Sequence, residues 1–125
     1  MNNKYHFSLS IHFYSDYDVQ NLEKIIKIKP YKTASYSKSK GEKKCAKFVY
    51  KTDILSDVYT DDMFAKFVAQ IQPRLQDLKA ILKQNNGKCN FRIVFDELNR
   101  KPCLSLNHET IAILDDLDAN FEVDF

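Results

Sequence analysis

The sequence predicts a single α+β domain over 1–125, a mostly antiparallel sheet with helices packed on one face, a variant of the ferredoxin-like sandwich. Three observations carry this expectation. Segments alternating apolar and polar residues open and close the chain, segments with apolar residues three and four apart lie between them, and no internal boundary divides the 125 residues.

The first element is the run "YHFSLSIHFY". Tyr5, Phe7, Leu9, Ile11 and Phe13 fall at period two and point to one side of a strand, which leaves His6, Ser8, Ser10 and His12 on the other. The two histidines lie six residues apart, about 20 Å along a straight strand, too far to share one metal ion. In "SDYDVQNLEKIIKI", Ser15, Asp16 or Asp18 can cap a helix whose apolar stripe is Val19, Leu22, Ile25 and Ile26, and Pro30 ends it. Residues 31–44, rich in lysine and serine around Gly41, read as an irregular strand or a mobile loop. "CAKFVYKT" sets Ala46, Phe48 and Tyr50 against Lys47, Val49 and Lys51, a second clear strand.

A long helical pattern follows, capped by Thr60 and carrying Phe64, Phe67, Val68, Ile71, Leu75, Leu78, Ile81 and Leu82. Pro73 lacks an amide hydrogen, so the helix should kink or restart there. Asn85-Asn86-Gly87 closes it. "KCNFRIVFDE" and "PCLSLN" read as two strands, with Leu104 and Leu106 inward in the second. Asn107 caps a last helix bearing Ile111, Leu114 and Leu117, and "NFEVDF" ends the chain as a strand alternating Phe121, Val123 and Phe125 with Glu122 and Asp124.

Composition narrows the class. A 44% hydrophobic chain with two glycines and three prolines is ordered and large enough to build a core without staples. No apolar run nears the roughly 20 residues that cross a bilayer, and the first residues lead into a strand pattern, not a secretory signal. Cys45, Cys89 and Cys103, without C-x-x-C spacing, fit reduced structural thiols in a cytoplasm. Two glycines cannot form a phosphate or dinucleotide loop. His108 beside Glu109 reads as an exposed pair at a helix start, and Asp115, Asp116 and Asp118 lack the spacing of a calcium loop. No catalytic, cofactor-binding or metal-ligating set is expected.

Charge is more informative than the net value of +2. Residues 23–51 hold ten lysines against Glu23 and Glu42, whereas no lysine or arginine follows Lys101 and the acidic residues Glu109, Asp115, Asp116, Asp118, Glu122 and Asp124 accumulate. One basic and one acidic region imply a protein that meets charged partners.

The combination of "IKIKP", "KGEKK", the "FVYKT" strand and the terminal "LNHETIAILDDLDANFEVDF" resembles a bacterial family of small cytoplasmic proteins known as a domain of unknown function. Pro30, Lys40, Gly41 and Glu42 match its Pro…Lys-Gly-Glu element, Asn107 its polar cap, and Phe48 stands where that family carries a tryptophan. The family implies no catalytic residues. By type, the chain is similar to immunity proteins that neutralise toxins exchanged between bacteria. That likeness implies a cytoplasmic, non-enzymatic antidote covering the active site of a cationic toxin, such as a nuclease of a contact-dependent growth inhibition or polymorphic toxin system. The expected contact residues are Asp115, Asp116, Asp118, Glu122 and Asp124, joined by Asp61 and Asp62, with Asp53 and Asp57 as additions to the same face. The alternative expectation is a nucleic-acid-associated or regulatory module using the Lys-rich segment 24–51, with Lys38, Lys40, Lys43 and Lys44 as anion-binding residues and Tyr31 and Tyr36 interleaved.

Overall fold

A computed structural model describes residues 2–37, 44–56, 59–102 and 104–125, excepting the side chains of Tyr36, Ser37 and Lys44. Its elements are β1 (Lys4–Phe13), α1 (Val19–Ile26), β2 (Lys32–Ser37), β3 (Lys44–Lys51), β4 (Leu55–Ser56), α2 (Thr60–Ala69), a 3-10 turn (Gln72–Arg74), α3 (Leu75–Gln84), β5 (Gly87–Glu97), α4 (His108–Asp116) and β6 (Asn120–Asp124).

The sheet order is β2-β3-β1-β5-β6, with β4 pairing the start of β1. β3 pairs antiparallel with both β1 and β2, so β1 and β2 run parallel around it. β1 likewise lies antiparallel between β3 and β5. Two split βαβ units therefore interlock, the connection that the ferredoxin-like layer uses. The helix α4 then returns β6 parallel to β5, adding one strand at that edge.

The face shared by Tyr5, Phe7, Leu9, Ile11 and Phe13 is shut from solvent, each of the five at 0% exposure. Burying such a side chain stabilises by about 1.5–3 kcal/mol. Phe64 and Phe67 of α2 descend on this surface: Phe64 meets Phe7 edge-on at 5.4 Å between ring centroids, and Phe67 stacks on Phe7 at 5.6 Å. Phe91 of β5 receives both helix rings edge-on. Leu22 and Ile26 of α1, Leu78 and Leu82 of α3, and Ile113 and Leu114 of α4 complete the core, so the helices lie on one side of the sheet. Cys89 sits in that core, and burial pushes its thiol pKa well up, which leaves it without thiolate character.

The structure resolves some local expectations and corrects others. Residues 32–37 form a regular edge strand, while 38–43 lie outside the described residues. Asp18 is the cap of α1, accepting from the Gln20 amide at 3.0 Å. The helix ends at Ile26, before Pro30, because Lys27 turns left-handed with φ 57° and donates back to the Glu23 carbonyl. Ile25 and Ile111 are substantially exposed, just off their buried stripes. The cap position of α2 falls on Tyr59, and Thr60 is instead a buried first helical residue. Pro73 breaks the long helix as its missing amide requires: α2 stops at Ala69 and α3 restarts after the 3-10 turn. Residues 104–107 are not a strand, although Leu104 and Leu106 do pack against the core. The short β4 has too few residues for periodicity to register.

Where β3 leaves β1, the side chain of Thr52 continues the ladder. The Thr52 amide donates to the Phe7 carbonyl at 2.9 Å, and its hydroxyl accepts from the Phe7 amide at 3.0 Å. Asn3, 5% exposed, clamps the turn after β5: its Oδ1 accepts from the amides of Asn99 (2.7 Å) and Arg100 (2.8 Å), and its Nδ2 donates to the Arg100 carbonyl (3.1 Å). The other end of the sheet is tied by Ser15 Oγ donating to the Asn85 carbonyl at 2.6 Å, with Asn86 left-handed at φ 52°.

Two substitutions test this packing. A Cβ at Gly87 would lie 2.7 Å from Leu82 Cδ2 and 2.9 Å from Phe13 Cε1. Gly87→Ala should therefore destabilise by about 1–3 kcal/mol in urea unfolding; a gain in stability, as expected of a glycine in open space, would contradict the close approach. Asn3→Ala should cost about 1–3 kcal/mol by stranding two amides, whereas Asn3→Asp, which keeps the acceptor, should retain the larger part of that stability.

Candidate functional site

The helices leave the opposite face of the sheet uncovered. Directly paired residues share a face, so the registers read as rows across it. One row runs Glu122, Arg92, Ser8, Lys51, and the next Asn120, Asn90, Ser10, Val49, Lys32. A third runs Lys88, His12, Lys47, Ala34, and at the other end Asp124, Val94 and His6 align. The centre is built from small polar side chains, Ser8, Ser10 and Asn90, each half-buried.

Charge on this face is sorted by strand. β2 and β3 supply Lys32, Lys47 and Lys51, while β5 and β6 supply Asp96, Glu122 and Asp124. Lys88 and Arg92 are the cations that β5 adds to this side: Lys88 pairs with Asp118, and Glu122 Oε2 holds Arg92 through both Nη2 (2.7 Å) and Nε (3.1 Å). Lys51 Nζ lies 4.0 Å from the centroid of the Tyr31 ring. His12 stacks parallel on Tyr14 at 4.7 Å.

His6 is more than the polar face of a strand. Its Nδ1 lies 2.7 Å from Asp96 Oδ2, and a carboxylate only accepts, so Nδ1 carries the proton and Nε2 is the acceptor in the neutral ring. Lys51, Thr52, Asp53 and Ile54 line an open groove of about 370 Å³ beside this pair. The link crosses ninety residues of sequence, which is why alternation alone did not reveal it. His12 lies at the far end of the same continuous strand, so the two histidines stay apart.

The residues expected to form one acidic surface are distributed over two layers. Asp61 and Asp62 open α2, Asp115 and Asp116 close α4, and Glu122 and Asp124 lie on the uncovered sheet face. Asp61 accepts from Ser105 Oγ at 2.8 Å. Asp116 pairs with Lys79 at 3.9 Å, Asp118, left-handed at φ 50°, pairs with Lys88 at 3.7 Å, and Glu122 is engaged by Arg92. Among the described residues, Asp61, Asp62, Asp115 and Asp124 have no ion-pair partner. Asp53 lies in the His6 groove, and Asp57 is outside the described residues. Of the lysines proposed as anion ligands, Lys38, Lys40 and Lys43 lie outside the described residues, as does the side chain of Lys44; Lys32, Lys47 and Lys51 of the same segment are the ones the sheet brings together. His108 begins α4, exposed, behind the cap that Asn107 Oδ1 makes on the Thr110 amide at 2.8 Å.

No group of three or more His, Cys, Asp and Glu suited to a metal ion occurs among the described residues, and no helix there is long and apolar enough to cross a membrane. No curated protein and no solved structure matches the chain. A family model does match, over residues 3–125, that is, from β1 through β6. The chain accordingly belongs to the DUF4279 family, a domain of unknown function.

Proposed function

We propose that this protein is a non-enzymatic, cytoplasmic immunity protein that binds a cationic bacterial toxin, a nuclease being the fitting class, and covers its active site. The observation that supports the reading is the uncovered, charge-sorted sheet face, whose β5–β6 side sets Asp96, Glu122 and Asp124 against Lys88 and Arg92. A toxin that grips polyanions presents lysines and arginines, and carboxylates arrayed on a rigid sheet speed its encounter and fix its orientation. A sheet is suited to this work because its backbone hydrogen bonds hold side chains at set spacings without an ordering cost on binding. Asp115 and Asp116, one layer away at the end of α4, extend the negative field toward the same partner.

The test is coexpression with a toxin encoded beside this gene, followed by copurification at micromolar concentration; absence of a complex would count against immunity. Asp124→Lys with Glu122→Lys should lower the association rate at least about tenfold while lowering the melting temperature by no more than a few degrees, since the Arg92–Glu122 pair that it breaks is part exposed. The same reversal at Asp115 and Asp116 should have a smaller effect. If the two pairs rank the other way, the toxin sits on the helix layer and the sheet edge is not the contact.

A further inference from the structure

The basic half of the uncovered sheet face has a separate use. We infer that Lys32, Lys47 and Lys51, flanked by the exposed rings of Tyr31 and the His12–Tyr14 stack, form a binding platform for single-stranded nucleic acid. The inference rests on how β1, β2 and β3 pair. Lys47 lies opposite His12 and Lys51 opposite Ser8, four residues further along β3, so the two are about 13 Å apart. Lys32 lies opposite Val49, between them and one strand outward. Three ammonium groups thus surround a strip floored by Ala34 and Val49, where a groove of about 240 Å³ opens.

Two features of this strip bear on its ligand. None of the three lysines has an ion-pair partner among the described residues, as is also true of Lys24, Lys27, Lys29, Lys66, Lys83 and Lys101, but these three are set on one face by the pairing of β1, β2 and β3. Among the described residues Asp53, beside Lys51 in the neighbouring groove, makes no ion pair. Aromatic planes also stand at both ends of the row. Tyr31 is 64% exposed beneath the Lys51 ammonium. At the Lys47 end, Tyr14 lies flat against His12 with 3° between the planes.

The ligand class follows from needing both features at once. Ammonium groups attract phosphates, and flat aromatic faces take unstacked bases, each worth a substantial part of single-strand affinity. An acidic polypeptide would satisfy the lysines and leave the rings idle. A duplex keeps its base faces stacked away from them. A single strand laid along β3 engages both, with phosphates over Lys47, Lys32 and Lys51 and bases against Tyr31 and the His12–Tyr14 end.

Fluorescence anisotropy with a labelled mixed-sequence single-stranded oligonucleotide tests this on the full chain. Binding should weaken with salt, and Lys32→Gln with Lys47→Gln should reduce the slope of log K against log salt by about 1.4, two phosphates at roughly 0.7 each. Tyr31→Ala should lower affinity about tenfold with the slope unchanged, since stacking releases no counterions. Circular dichroism and melting confirm that each variant is folded; all three positions are on the surface, and Lys→Arg replacements should restore binding. Any of three results overturns the inference: no salt-sensitive binding by the parent chain, variants that bind as the parent does, or equal competition by duplex or by an oligoglutamate of matching charge, the last assigning the strip to an acidic protein segment instead.

Discussion

The structure depends on one strand that is paired on both sides and buried on one face. β1 has β3 and β4 along one edge and β5 along the other, so its backbone groups are satisfied within the sheet and its odd-numbered side chains are free to form the floor of the core. Tyr5, Phe7, Leu9, Ile11 and Phe13 are all fully enclosed. A shift of register by one residue would exchange this row for His6, Ser8, Ser10 and His12, placing four polar groups under the helices. That difference locks the alignment of β1, and through it the positions of every side chain on the uncovered face.

The same constraint links packing to function. Because the helices are needed on one side only, the second face is left to water, and its residues are released from any requirement to be apolar. Its chemistry is set by the polar halves of alternating strands whose apolar halves are fully used. Sorting follows from topology: β2 and β3 come from the lysine-rich third of the chain, β6 from the acidic end, and the order β2-β3-β1-β5-β6 puts them at opposite edges. A charge gradient along the sequence becomes a charge gradient across a surface. The Arg92–Glu122 clamp and the His6–Asp96 pair lie on the side where the carboxylates collect.

Closing devices at the two ends of the sheet keep this frame rigid. Asn3 holds the turn after β5 with three hydrogen bonds, and Ser15 with Asn86 ties the end of β1 to the turn after α3. Thr52 takes over the ladder where β3 departs. Each places a polar side chain where a backbone group would otherwise lack a partner, so the sheet ends without exposing unpaired amides in its interior.

By itself the sequence determined the elements whose period is long and regular. The alternation of β1 and β5, the break at Pro73, the Asn107 cap and the burial of Cys89 were legible because each depends on local geometry or on a repeated pattern. Residues 104–107 misled because two leucines two apart suit an extended loop over a core as well as a strand. Thr60 misled because a capping residue type one position inside the helix is indistinguishable from a cap. Only the tertiary structure decided what lies side by side: the parallel return of β6, the bond between His6 and Asp96, the gathering of Lys32, Lys47 and Lys51, and the division of the acidic residues between two layers. Those relations join positions far apart in the chain, and they are set by which strands pair and in what register. That choice minimises the apolar surface of the whole molecule, and no single segment encodes it.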